Sequence, residues 1–176
     1  IEKLISMKDV IDAIEAFYIE EKDQSVKIPE RMHIADGDNT ALLMPSMFEK
    51  YYGVKLVGIA PGNSEIGEPT LNGTYVLHDR QTMKPLAIID AQKLTSLRTG
   101  AISGLGMKYM ARDDASTIGI IGTGEQGWSH LQAACAVRPV KTALIHNRSP
   151  KRMEAFMRTA KQHFPDVTFK MAQPED

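Results

Sequence analysis

Apolar residues first recur at helical spacing near the start of the chain, where Val10, Ile11, Ile14, Phe17 and Tyr18 share one face. Ser6 and Asp9, three residues apart, have the arrangement of a capping box, so the pattern predicts a helix over residues 6–22. From 28 to 90 the texture changes to short apolar or alternating runs, namely RMHIA, ALLMP, YYGVKLVGIA, GTYVLHD and PLAIID. The pieces between them, ADGDNT, PGNSEIGEP and DRQTMKP, are rich in turn formers, so this region reads as mostly β. Helical periodicity returns at Ala91, Leu94, Leu97, Ala101, Leu105 and Met110, with Asp90 placed as N-cap and Lys108 and Arg112 near the end. The polar stretch ARDDAS that follows reads as a domain boundary, dividing the chain into residues 1–112 and 113–176.

Beyond that boundary the pattern becomes strand, helix, strand, helix, strand. TIGIIG is a short buried-type strand, EQGWSHLQAACAV a helix, TALIH a strand, SPKRMEAFMRTAKQHF a helix and VTFKM a third strand. Alternation at these lengths implies a parallel sheet with crossover helices, and the expected fold class is α/β.

The bulk composition narrows the function classes. At 176 residues, 43% hydrophobic and 24% charged, the chain can bury a core. A formal net charge of −1 builds in no attraction to nucleic acid or anionic lipid, so neither is expected as a partner. The longest apolar stretches, such as Ile118–Ile121, fall far short of the roughly 20 residues that span a bilayer, and the start IEKLISMKDV has no signal-peptide apolar region. A soluble, cytoplasmic protein is expected. The lone Cys135 suits a reducing compartment and reads as a small buried residue. The five histidines, His33, His78, His130, His146 and His163, show no metal-ligand spacing, so no metal is expected.

The most specific local signal is Gly122-Thr123-Gly124-Glu125-Gln126-Gly127, a G-x-G-x-x-G spacing directly after a β-branched strand and at the opening of a helix. Gly122 would permit the tight turn, Gly124 the approach of a pyrophosphate to the backbone, and Gly127 close packing of helix on strand. The start of the helix would add N–H donors for the anion, with the backbone rather than the Glu125 and Gln126 side chains making the main contacts. The second region is thus read as the N-terminal half of a Rossmann dinucleotide-binding domain, truncated because such a domain needs two halves. An NAD site usually places a carboxylate for the ribose 2′-hydroxyl about 20 residues beyond the glycines. Here that place holds His146-Asn147-Arg148-Ser149, where Arg148 offers a planar donor fork and Asn147 and Ser149 neutral hydrogen bonds. NADP(H) is favoured, with NAD(H) possible. The bland alternative is that Arg148, Lys151 and Arg152 form a solvated basic face.

The runs Leu94-Thr95-Ser96-Leu97-Arg98-Thr99-Gly100-Ala101, Tyr109-Met110-Ala111-Arg112 and IGIIGTGEQG, in that order, resemble the ornithine cyclodeaminase/μ-crystallin family. Upstream, Pro29-Glu30-Arg31, a Leu43-Met44-Pro45 turn, and Lys55 followed by Pro61-Gly62-Asn63 also fall in the family's order, so the resemblance covers nearly the whole chain. It implies that residues 1–112 bind substrate and form a homodimer through the β region. It further implies that Arg31, Lys55 and Arg98 bind the carboxylate of a small amino or imino acid, with Lys55 and Arg98 in the catalytic set. A bidentate arginine suits a planar carboxylate, and a lysine adds a point charge. Thr95 is placed to hydrogen-bond locally or toward the cofactor, and His33, two residues from Arg31, lies on the same strand face. The general acid/base aspartate of the family is expected beyond residue 176.

Proteins resembling the dedicated ornithine cyclodeaminases carry a glutamate just before the Leu-Met-Pro motif, where this chain has Leu42. A leucine cannot hold an ammonium or move a proton. The favoured activity is therefore hydride transfer between NAD(P)H and the C=N bond of a small imino acid, as in ketimine reductases and amino acid dehydrogenases. Two alternatives stand beside it: an ornithine cyclodeaminase, and a non-catalytic NADP-dependent ligand-binding protein of μ-crystallin type.

Overall fold

The structure, a computed structural model, describes residues 4–20 and 26–173. It divides into two compact units, one of residues 20–95 and one of residues 1–19 with 96–176.

The unit that ends at Thr95 holds an antiparallel meander of five strands in sequence order: β1 (Met32–Asp36), β2 (Asn39–Phe48), β3 (Tyr51–Ile59), β4 (Leu71–Asp79) and β5 (Pro85–Asp90). The Leu43-Met44-Pro45 segment, expected as a turn, lies inside β2. Proline is tolerated there because β1 pairs with β2 only as far as Met32 opposite Leu43, and the next contact on that edge is the Lys27–Met47 bridge. The N–H that Pro45 lacks would face the gap between them. The turn-rich PGNSEIGEP piece folds as a 3-10 helix at Pro61–Ile66, stopped by Gly67 in the left-handed region at φ 76°. Asp90 ends β5 and caps the next helix, its carboxylate accepting the Gln92 N–H at 2.8 Å.

That helix, α2 (Ala91–Met110), runs unbroken through the division between the units. In the second unit it packs with α1 (Met7–Glu20) and α3 (Glu125–Val137). The capping box that starts α1 is reciprocal: the Asp9 N–H donates to Ser6 Oγ at 3.2 Å and the Ser6 N–H donates to the Asp9 carboxylate at 2.8 Å. Bonds from the Ser6 hydroxyl and then its amide hold the Asp9 carboxyl below the usual carboxylate range. Of the expected helix, residues 21 and 22 lie outside the described residues.

Met7 and Ile11 of α1, Leu97 and Ala101 of α2 and Ala133 of α3 are buried together. Glycines allow α2 to come this close. A Cβ on Gly100 would lie 2.6 Å from the Ser129 carbonyl oxygen, and one on Gly104 would lie 2.9 Å from Ile11 Cδ1. The remaining elements are β6 (Thr117–Ile121), β7 (Thr142–His146), α4 (Pro150–His163) and β8 (Thr168–Met171). The three strands form a parallel sheet in the order β6-β7-β8. Its core is Ile120, Leu131, Ala143, Ile145, Met153, Phe156, Ala160 and Val167. No helix among the described residues is long and apolar enough to cross a membrane.

The compact units do not follow the division expected at 112/113. The polar stretch there is a connection inside the second unit, whereas α1 and most of α2 bury their apolar faces in that unit. Arg138 secures the connection by donating from Nη2 to the carbonyls of Lys108 at 2.7 Å and Ala111 at 2.8 Å, and from Nε to that of Arg112 at 3.0 Å. A cation at the C-terminus of α2 thus satisfies carbonyls that the helix leaves open.

Two alanine substitutions in α2 should have opposite signs. Gly100→Ala must push the Ser129 backbone aside and is expected to lower stability by about 1–3 kcal/mol. Gly106→Ala meets nothing within 4 Å and should raise stability by roughly 0.5–1 kcal/mol through the better helix former. Urea midpoints at unchanged slope are the readout. Changes of the same sign would contradict the packing described.

Candidate functional site

The parallel sheet presents its glycine turn where β6 ends. Gly122 leaves the strand at φ 100°, a conformation that favours glycine, and its N–H donates to the His146 carbonyl of β7 at 2.8 Å. The chain then passes through Thr123 to Gly124, the N-cap of α3, which is extended and supplies no side-chain cap. Gly127 tolerates nothing larger: a Cβ there would lie 2.1 Å from the Gly122 carbonyl oxygen. At Gly124, by contrast, a Cβ would meet nothing within 4 Å. Thr123 Oγ1 is buried without a hydrogen-bond partner. An open backbone at Gly124, an uncapped helix start and a hydroxyl lacking a partner together fit a phosphate-bearing group at this turn.

The side chains of the turn are arranged differently. Glu125 and Gln126 are exposed, and the Ser96 hydroxyl of α2 donates to the Glu125 carboxylate at 3.4 Å. Together with the Gly100–Ser129 approach, this contact fixes the Ser96 end of α2 beside the glycine turn. Arg98 follows two residues later and is exposed. Thr95, assigned from sequence to the cofactor, donates its hydroxyl to the Ala91 carbonyl one turn back.

At the end of β7, Asn147 Nδ2 donates to the Ser149 carbonyl at 3.5 Å, and Ser149 Oγ accepts the Arg152 N–H at 3.4 Å as N-cap of α4. Ser149 is therefore part of a helix start while keeping a hydroxyl proton to donate. Arg148 between them is exposed. His146 Nδ1 pairs with the Ala172 carbonyl at 3.0 Å.

In the antiparallel sheet the register decides which side chains share a face. Met44, Lys55, Tyr75 and Ile89 stand opposite one another on successive strands, as do His33, Leu42, Val57 and Gly73. Residues two apart share a face, so His33, Leu42, Met44, Lys55 and Tyr75 are all on one side. Arg31 immediately precedes β1, and with His33, Met44 and Pro45 it lines a shallow depression. The sheet thus puts Lys55 directly opposite Met44, which lines the same depression as Arg31, with Leu42 two residues from Met44 on that face. Arg98 belongs to the other compact unit.

Sequence reasoning missed three of these features. Ser96 with Glu125, Gly53 beneath Tyr75, and Arg138 closing α2 each depend on partners 22 or more residues away. The available signal was glycine within a strand, and β3 carries two, Gly53 and Gly58.

Residues 1–175 match the model of the Ornithine cyclodeaminase/mu-crystallin family. A Delta(1)-pyrroline-2-carboxylate reductase of Bacillus cereus is 36% identical over 98% of this chain and 54% of its own length. An alanine dehydrogenase of Archaeoglobus fulgidus is 35% identical over 89% of this chain and 49% of its own. Among solved structures, Thermococcus litoralis Delta(1)-pyrroline-2-carboxylate reductase in complex with NADH and L-proline superposes with a TM-score of 0.89 at 35% identity, covering 98% of this chain and 54% of that one. An archaeal alanine dehydrogenase dimer with bound NAD gives a TM-score of 0.89 at 29% identity, over 99% and 54%. The chain spans about half the length of these relatives, and the motifs and both sheets fall within the shared half. It belongs to the ornithine cyclodeaminase/mu-crystallin family.

Proposed function

We propose that the intact protein is a nicotinamide-dinucleotide-dependent oxidoreductase that interconverts a small imino acid and the corresponding amino acid. The observation that carries the reading is the turn at Gly122, Thr123, Gly124 and Gly127, where the backbone leaves room for a pyrophosphate and Thr123 Oγ1 has no protein partner. The likeness to a reductase solved with NADH and L-proline supports the same class of ligands.

The cofactor, when bound, supplies the hydride acceptor or donor. This chain's residues would hold and orient. N–H groups at the start of α3 and the Thr123 hydroxyl receive the pyrophosphate. Arg31 and Lys55 of one unit and Arg98 of the other are the carboxylate-binding cations that the family resemblance assigns. Leu42, in register with His33 on the Lys55 face, offers no carboxylate to a second ammonium. That favours an imino acid without a distal amine over ornithine as substrate.

A homodimer is part of the proposal. The sheet face opposite Lys55 carries Met32, Ile34, Leu56 and Ile88 at 57, 52, 40 and 78% exposure. An apolar face of this kind suits burial against a second copy, and one of the similar structures is a dimer.

Two measurements test the assignments of individual residues. Arg98→Lys keeps the charge but loses the two-pronged fork. With Δ1-pyrroline-2-carboxylate as substrate, kcat/KM should fall by two orders of magnitude or more, about 2.7 kcal/mol of lost transition-state stabilisation. NADPH affinity should change little. Near-native kcat/KM would remove Arg98 from the substrate site.

The second measurement concerns cofactor choice. NADPH should bind more tightly than NADH, and Arg148→Ala should weaken NADPH selectively, because the end of β7 offers a guanidinium and no carboxylate to a 2′-phosphate. Fluorescence titration of both cofactors decides this. Equal affinities in the wild type, or equal losses in the variant, would overturn it.

A further inference from the structure

Lys55 stands directly opposite Tyr75, with Gly53 two residues away on the same face. Cross-strand partners on one face have Cβ atoms about 4.5–5.5 Å apart, close enough for either side chain to limit the other. The tyrosine ring is not stacked upright over Lys55. It lies along the sheet over buried Gly53, where an added Cβ would be 2.1 Å from Tyr75 Oη, 2.4 Å from Cζ and 2.7 Å from Cε1. Only a glycine leaves that space. The ring therefore occupies the Gly53 side of Lys55. On the other side Val57 is 6% exposed, and across β2 stands Met44, which lines the depression that also holds Arg31.

We propose that Gly53 and Tyr75 are a positioning pair for Lys55. With the ring parked over the glycine, the four-carbon stem of the lysine is denied the Gly53 direction and is directed toward Met44 and Arg31. The pair thereby narrows the rotamers of a side chain that otherwise loses much freedom when it binds an anion. The ring, rather than its hydroxyl, provides the wall. The proposal rests on Lys55 being a carboxylate-binding group of the reductase proposed above, and it adds a determinant of substrate affinity that lies outside the cation set.

The test is a double-mutant cycle on the intact protein, with Δ1-pyrroline-2-carboxylate and NADPH as substrates. Gly53→Ala displaces the ring and should raise KM for the imino acid about tenfold, which is about 1.4 kcal/mol, while the NADPH Kd stays within twofold. Tyr75→Ala should raise the same KM severalfold, and Tyr75→Phe, which keeps the ring, should restore most of it. Adding Gly53→Ala to Tyr75→Ala should change little further, because no ring remains to be displaced. A merely structural sheet contact would instead lower the melting temperature with the imino-acid KM unmoved, or give the same KM penalty for Gly53→Ala in both backgrounds. Either result overturns the pair. Lys55→Ala separates the two levels. If it loses activity while Gly53→Ala keeps the wild-type KM, the positioning role alone falls. If Lys55→Ala is as active as wild type, the substrate reading falls and the positioning role with it.

Discussion

The distance at which α3 sits from the end of β6 is set by backbone meeting backbone. A Cβ on Gly127 would be 2.1 Å from the Gly122 carbonyl oxygen, so the helix can start where it does only because that residue has no side chain. The same approach leaves Gly124 extended and uncovered at the helix start, and Thr123 Oγ1 buried with no partner. Farther along α3, Gly100 of α2 rests on the Ser129 carbonyl and Gly104 against Ala133. One helix is thus gripped at its start by a strand-to-helix turn and along its side by a second helix. Both contacts are closer than ordinary side chains permit.

Those close approaches tie packing to function in the second unit. The Ser96 end of α2 lies beside the glycine turn, and Arg98 follows within the next helical turn. Arg138 holds the opposite end of α2 by its carbonyls. The helix is anchored at both ends of its run through this unit, and the substrate-orienting role proposed for Arg98 would need that rigidity. In the antiparallel sheet, rigidity comes from register instead. His33, Leu42 and Lys55 share a face because the β1, β2 and β3 pairings put them there, and a slip of one residue would send Lys55 to the other side.

Much of this was legible in the sequence because it depends on local period and local chemistry. The alternation from Thr117 to Met171, the Ser6–Asp9 box, the Asp90 cap and the glycine spacing each declare themselves within a few residues. Pro45 misled because proline reads as a breaker, and only the pairing shows that its missing N–H falls where β1 has already ended. The compact units divide at 95/96 where the polar run pointed to 112/113, and a polar run says nothing of the guanidinium that ties it down. The Gly100 and Gly104 contacts were hidden for a related reason: in a hydrophobic pattern glycine counts as weak, whereas in helix packing its lack of a side chain is the point. Tyr75 over Gly53 needed the strand register, which a linear reading does not provide.

Gly124→Ala separates what the protein tolerates from what a bound dinucleotide tolerates. The added methyl meets nothing within 4 Å in the protein, and Gly124 is at φ −88°, where alanine is unstrained. Folding stability should therefore be unchanged in urea. If the pyrophosphate approaches the backbone at this turn, the methyl stands in its path, and the NADPH Kd measured by fluorescence titration should rise tenfold or more. A stable Gly124→Ala protein that binds NADPH as tightly as wild type would contradict the assignment of this turn as the dinucleotide site.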